Sequence, residues 1–267
     1  MSTSEKKIIL ITGANTGIGW ETVKALLQSP QAYHVLLGCR SLEKGEAAVE
    51  KLKQDVPSTS STIELVEIDV ASDDSINKLF ESVKAKHGRI DALVNNAGIL
   101  LDKSIGPEIS LRECWNLTYN VNVAGAEVMT HTFVPLLLQS SDPRLIFLTS
   151  GLATIQGVSK SYAPGPVPVP AGWPKQVGYT PDAYRSSKLA LNMMMLSWHW
   201  KLREDGVKVW AVSPGFLATG LGGDQAALAA RGAGDPSTGG KFLSNVLAGE
   251  RDADVGKIIA GYGVQPF

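Results

Sequence analysis

Thr12-Gly13-Ala14-Asn15-Thr16-Gly17-Ile18-Gly19 stands directly after the apolar run Ile8–Ile11 and opens the helical pattern Ile18–Gln28. Three glycines spaced GxxxGxG between a strand and a helix allow a tight turn with an exposed backbone. The N–H groups of the helix start then point at whatever lies above it. A dinucleotide's pyrophosphate has those requirements. On these eight residues alone, an ordinary glycine-bearing βα turn is the competing reading. The rest of the chain has to decide between them.

Working outward, short apolar runs alternate with helical patterns. Ile8–Ile11, Val35–Leu37, Ile63–Ile68, Ile90–Val94, Leu145–Leu148 and Val207–Val212 read as strands, and a seventh is expected near Lys257–Ala260. Several lack polar alternation, which is the pattern of parallel strands covered on both faces. Helices are expected over Ile18–Gln28, Ser41–Gln54, Asp73–Lys86, Leu111–Leu138 and Asp182–Arg203, with Ser41 and Ser72 placed to cap two of them. The alternation predicts one α/β domain spanning 1–267, a Rossmann fold with a doubly wound, parallel, seven-stranded sheet and helices on both faces.

Composition agrees with a globular chain. Of 267 residues, 44% are hydrophobic and 19% charged, enough for a large core. A net charge of −1 argues against nucleic acid or an anionic membrane as the main partner. The densest apolar run, Phe133–Leu138, is far too short for a membrane span and contains Pro135. The polar start Met1–Lys7 shows no signal peptide, so a cytoplasmic protein is expected. Cys39 and Cys114 make neither a disulfide framework nor a zinc site, and His34, His87, His131 and His199 stand at no metal-ligand spacing, so no metal is expected. Met193-Met194-Met195, Trp198, Trp200 and Trp210 read first as packing residues.

Further motifs follow the other strands. Asn95-Asn96-Ala97-Gly98 ends the fourth, Ser150 closes the fifth, and Pro214-Gly215 follows the sixth, with Leu217 and Thr219 shortly after. Asn122 lies in the helix between the fourth and fifth strands, with Asn120 as a competitor two residues away. Tyr184-Arg185-Ser186-Ser187-Lys188 opens a long helix, and a spacing of four puts Tyr184 and Lys188 on one face. A phenol with a pKa near ~10 is a poor acid–base group at neutral pH. An ammonium about 5 Å away is worth roughly 3 kcal/mol, so Lys188 is expected to lower the Tyr184 pKa by about two units.

With TGxxxGIG, NNAG, YxxxK and PG in this order, the chain resembles the short-chain dehydrogenases/reductases over nearly its whole length. It is most similar to carbonyl-reductase-type and fungal members. The resemblance implies a catalytic set of Asn122, Ser150, Tyr184 and Lys188. Tyr184 would give a proton to the carbonyl oxygen, Ser150 would hydrogen-bond that oxygen, Lys188 would hold the nicotinamide ribose, and Asn122 would anchor a water. It also implies a cofactor site made of Gly13, Asn15, Thr16, Gly17, Ile18, Gly19, Asp69, Val70, Asn95, Ala97, Gly98, Tyr184, Lys188, Pro214, Gly215, Leu217 and Thr219. Asp69 would accept from the adenine amino group, although a helix-capping role competes for it. The acid expected about 20 residues beyond the glycine loop in an NAD enzyme is replaced by Cys39. Arg40 follows and suits a 2′-phosphate, with Lys44 as a second base, so NADP(H) is the expected cofactor.

Two segments break the rhythm. An insertion at about 157–182 holds Pro164, Pro166, Pro168, Pro170, Pro174 and Pro181, and 34 positions separate Ser150 from Tyr184. It is expected to form an ordered flap beside the Tyr184 helix, anchored by Tyr162, Trp173 and Tyr179. Such a flap would block assembly through the long helices, leaving a monomer or homodimer rather than a tetramer. The second segment, 215–240, is expected to be a mobile substrate loop with one or two short helices. The expected activity is reduction of an aldehyde or ketone, so the partner is a small carbonyl or alcohol. An oxidative secondary-alcohol dehydrogenase, a catalytically silent NADP-binding regulator and a reduction coupled to cyclisation remain as rivals.

Overall fold

The computed structural model describes residues 6–160, 169–175 and 179–267. Strands β1 (Lys7–Ile11), β2 (Tyr33–Cys39), β3 (Thr62–Glu67), β4 (Ala92–Asn95), β5 (Arg144–Leu148), β6 (Lys208–Ser213), β7 (Ile258–Ala260) and β8 (Gly263–Val264) form one sheet in the order β3-β2-β1-β4-β5-β6-β7-β8. Every pair is parallel except β7 with β8. The expected seven strands are present, and the eighth is a two-residue antiparallel edge too short to carry a periodic signal. The fourth strand begins at Ala92 rather than Ile90, because the Ile90 amide bonds to Leu136 instead of joining the ladder.

Side-chain alternation along the strands divides the core. Ile8 and Leu10 face one layer, built on α3 (Asp73–His87), α5 (Gly125–Leu137) and α7 (Asp182–Leu202). Ile9 and Ile11 face the other, built on α1 (Gly17–Leu27), α2 (Leu42–Asp55) and α9 (Pro236–Ala248). Ser41 caps α2 and Ser72 caps α3, as expected. The remaining helices are α4 (Leu111–Tyr119), α6 (Ile155–Lys160) and α8 (Gln225–Ala230). Strand order reverses between β1 and β4, and the crevice at their carboxyl ends is where open α/β sheets bind ligands.

Three expectations about elements are corrected. The single helix Leu111–Leu138 is broken by a π turn over Asn120–Ala124, closed by the Gly125 amide on the Asn120 carbonyl. Apolar periodicity continues through that turn and so hides it. The segment 215–240 carries the expected short helices, Gly220–Gly222 and α8, but its end belongs to α9 packed on α1. A Cβ on Gly240 would collide with the Glu21 backbone, so this glycine permits close helix approach rather than mobility. Trp198, Trp210 and Met195 are core, but Trp200 and Met193 are exposed, because a packed helix buries only one face.

Where β1, β5 and β6 begin, a charged cluster ties the sheet together. The buried Arg144 guanidinium donates to Asp142 (2.9 Å), Asp252 (2.6 Å) and the Val246 carbonyl (3.1 Å). Lys208 donates to Asp142 (2.8 Å) and Asp252, and Lys7 donates to Asp142 (2.6 Å). Burial alone would push both carboxyls up. Hydrogen bonds from Lys208, Lys7 and Arg144 outweigh it at Asp142, as those from Arg144 and Lys208 do at Asp252, and hold both below their ordinary 3.8. A depressed carboxyl stabilises the fold above its unfolded pKa and loses that contribution as pH falls toward the folded value. Stability is therefore expected to decline as pH drops below about 4. Asp142→Asn combined with Asp252→Asn should be less stable at neutral pH and show a shallower acid decline in urea denaturation.

Candidate active site

At the end of β1 the chain turns sharply, with Gly13 at φ +63° and Gly17 at φ +56°. A Cβ on Gly13 would lie 3.0 Å from the Ala97 Cα, and one on Gly19 would lie 2.6 Å from the Asn96 amide nitrogen. The turn therefore keeps its backbone bare. Asn96 Nδ2 donates to the carbonyls of Thr12 (2.7 Å) and Gly13 (3.1 Å), while Thr12 Oγ1 accepts from the amides of Asn96 (3.1 Å) and Ala97 (3.0 Å). Thr16 precedes α1 without a side-chain cap, and the first turn of α1 holds no acid. Bare backbone, positive φ and an uncapped helix start together fit a bound pyrophosphate.

Other expected cofactor residues surround this turn unequally. Thr219 closes over Gly17, where a Cβ would lie 3.6 Å from the Thr219 Cβ. Ile18, Pro214 and Leu217 converge on Gly239 of α9. Gly215 has φ +105° and starts the segment that brings Thr219 back. Arg40 and Lys44 are exposed past the end of β2, whereas Cys39 is buried and its thiol is pushed up by burial. Asp69 accepts from the Ala71 amide (3.0 Å), so it shapes the turn after β3 and leaves capping to Ser72. Val70 is buried in the core layer. The Asn95 side chain also points inward, donating to Thr130 Oγ1 of α5 (3.0 Å). Asn96, which no expectation used, is the asparagine that reaches the glycine turn; the second Asn of NNAG was its only signal.

Asn122, Tyr184 and Lys188 are buried beside this crevice, and Ser150 is half-buried after β5. Lys188 Nζ donates to the Leu148 carbonyl (2.8 Å) and lies 5.7 Å from the Tyr184 ring centre. Asn122 sits within the π turn, accepts from the Ile99 amide (2.8 Å), and donates to the Ile99 carbonyl (2.9 Å) and Ser187 Oγ (3.0 Å). A Cβ on Gly98 would lie 3.3 Å from both Asn122 Oδ1 and Lys188 Nζ, so the two groups converge there. Asn120 is exposed on the outer surface, which decides between the two asparagines for Asn122.

Electrostatics differ from expectation. Burial pushes the Tyr184 phenol up to about 12, against a hydrogen bond from Ser150, and pulls the Lys188 ammonium down to about 8. Desolvation penalises both charged forms, so the helix spacing alone does not yield an acidified phenol. Tyr184 keeps its proton across the physiological range.

Asp102 has a place here that no local pattern foretold. Pro181 stands at the N-cap of α7 and offers no capping group. The buried Asp102 carboxylate accepts instead from the amides of Ala183 (2.8 Å) and Tyr184 (3.2 Å), eighty residues downstream. Tyr179 lies nearby: burial, then Asp102 and Tyr184, push its phenol up to about 12. Lys103 Nζ stands 5.3 Å from its ring centre and donates to the Gly222 carbonyl (2.5 Å). The end of the insertion is thus linked to the 220–222 turn. Trp173 is 87% exposed, which corrects its expected role as an anchor, and Tyr162 lies outside the described residues.

The short chain dehydrogenase family profile matches residues 7–163. Short-chain dehydrogenase/reductase tropE of Talaromyces stipitatus is 54% identical over the whole of both chains. Short-chain dehydrogenase/reductase eupG of a Phoma species is 47% identical over 94% of this chain and 93% of that one. In fold, the chain is similar to an NADPH-bound carbonyl reductase from chicken fatty liver (TM-score 0.78, 23% identity, covering 98% of this chain and 100% of that one). It is also similar to RhlG of Pseudomonas aeruginosa in complex with NADP (TM-score 0.74, 20% identity, 96% and 94% covered). The chain belongs to the short-chain dehydrogenase/reductase family. It is an oxidoreductase of that family, with a nicotinamide cofactor and a small-molecule substrate. Among the described residues no helix is long and apolar enough to cross a membrane.

Asp102→Ala should cost about 1–2 kcal/mol of stability, the scale of a lost helix cap. Asp102→Asn should cost less, because its amide oxygen still accepts. Denaturant midpoints of the two variants check both.

Proposed function

We propose that the protein is an NADPH-dependent reductase that converts an aldehyde or ketone to the alcohol. The observation that carries this reading is the buried Tyr184 hydroxyl beside Ser150, Lys188 and Asn122, adjoining a bare glycine turn. A phenol that holds its proton is the form that gives a proton to a carbonyl oxygen in the reductive direction. When bound, reduced nicotinamide supplies the hydride. Tyr184 Oη delivers the proton to the carbonyl oxygen, and Ser150 Oγ donates a hydrogen bond where charge develops on that oxygen. Lys188 holds the nicotinamide ribose hydroxyls. Asn122 keeps Ile99 and Ser187 in register behind the site, with Ser187 Oγ donating on to the Tyr184 carbonyl (2.7 Å). Gly13, Asn15, Thr16, Gly17, Ile18 and Gly19 cradle the pyrophosphate, and Arg40 with Lys44 takes the 2′-phosphate. Two structures of the same fold hold NADPH and NADP, which supports this choice. Free buried Cys39 and Cys114 support a cytoplasmic protein.

NADPH oxidation against a panel of aldehydes and ketones tests the reading, since a silent regulator binds NADPH without turnover. Tyr184→Phe should retain NADPH binding and lose at least ~10²-fold in kcat. Arg40→Ala should weaken NADPH by roughly ten- to a hundredfold and leave NADH almost unchanged. An equal loss for both cofactors would remove the phosphate role. Lys188 loses its charge as pH rises through about 8. Accordingly, kcat/KM for reduction should fall above that pH, and Lys188→Met should be low and flat across it.

A further inference from the structure

His34, Glu64 and His87 are far apart in sequence, but the fold brings their ligand atoms within 4.8 Å of one another. His34 projects from β2, Glu64 from the edge strand β3, and His87 is the last residue of α3. Both imidazoles address the same oxygen. His34 Nε2 and His87 Nε2 each lie 3.1 Å from Glu64 Oε2, with ring centres 5.0 Å apart. Two ligands in a tetrahedral zinc shell, with bonds of about 2.0–2.1 Å, stand about 3.3 Å apart. Both His–Glu separations are close to that edge, and all three ligand atoms lie within 4.8 Å of one another.

The surrounding contacts also suit a metal. His34 Nδ1 is 2.8 Å from Thr62 Oγ1, the outer hydrogen bond that fixes a ligating imidazole and directs its Nε2 lone pair inward. Lys86 Nζ occupies the other carboxylate oxygen, Oε1, at 2.9 Å, leaving Oε2 as a monodentate donor.

We propose that His34, Glu64 and His87 form a divalent-metal site, suited to zinc, that staples the edge strand β3 to β2 and to the end of α3. Two imidazoles and a carboxylate are borderline donors of the kind zinc prefers, with water completing the shell. The site involves none of the proposed cofactor or catalytic residues, so its effect is on stability rather than on turnover.

The test uses untagged full-length protein stripped with a chelator and titrated with zinc chloride. One zinc per chain is expected by dialysis and metal analysis, with a raised melting temperature and unchanged NADPH binding. His34→Gln, His87→Gln and Glu64→Gln should each weaken zinc by at least ~10-fold. Circular dichroism confirms that each is folded. Lys86→Met frees the carboxylate charge and should tighten zinc without touching any ligand. No uptake at millimolar zinc, uptake unchanged in the His34→Gln/His87→Gln double variant, or weaker binding in Lys86→Met would each overturn the proposal.

Discussion

One hydroxyl joins the two chain reversals on which the crevice is built. Thr12 Oγ1 accepts from two successive amides, Asn96 and Ala97, and so fixes the end of β4 against the end of β1 at the point where strand order reverses. Asn96 returns the contact through Nδ2 to the carbonyls of Thr12 and Gly13. With these bonds made, Gly13 has no room for a side chain, the turn stays bare, and α1 starts with its amides free. The bonds are modest individually, about 1 kcal/mol each, but they are short and mutual. Their main effect is geometric, because a shift of either turn would close the cradle.

A second dependence runs through α7. Its first turn carries Tyr184, its second carries Lys188, and its start is held by Asp102 from the segment after β4. The same segment supplies Ile99 to Asn122 and Lys103 to Gly222. A short stretch of chain after NNAG therefore couples the glycine turn, the Tyr184 helix and the 220–222 turn. Burial works against both charged forms, pushing the phenol up and the ammonium down.

Where a residue's role follows from its neighbours in the chain, it was readable in advance. The βα alternation, the two-faced burial of β1 and β5, the caps Ser41 and Ser72, and the pairing of Tyr184 with Lys188 all follow from local periodicity. The electrostatic outcome for that pair did not, because desolvation depends on what covers the helix. Asp102 was hidden for a related reason: an N-cap is normally sought beside the helix it serves, and this one comes from a distant loop. His34, Glu64 and His87 show the same limit, since ligand spacing rules apply along one element and these residues sit on three. Trp200 is exposed where packing is expected, because hydrophobic character identifies neither the face of α7 nor its covering. Trp173 is exposed where an anchor is expected, because aromatic character alone does not say what a loop residue packs against.

The π turn at Asn120–Ala124 has a consequence of its own. A turn closed from residue i to i+5 holds one more residue than its neighbours, so α4 and α5 are out of phase across it by about one residue, roughly 100° of rotation. Asn122 meets Ile99 and Ser187 only because that additional residue is accommodated where it is. Deleting one residue here would restore a regular helix while turning one flank away from its partners. Length between Leu111 and Leu137 is consequently a stricter constraint than side-chain identity at most positions within it. Apart from Asn122 and the buried positions, homologues should vary more in residue type along this stretch than in the number of residues it contains.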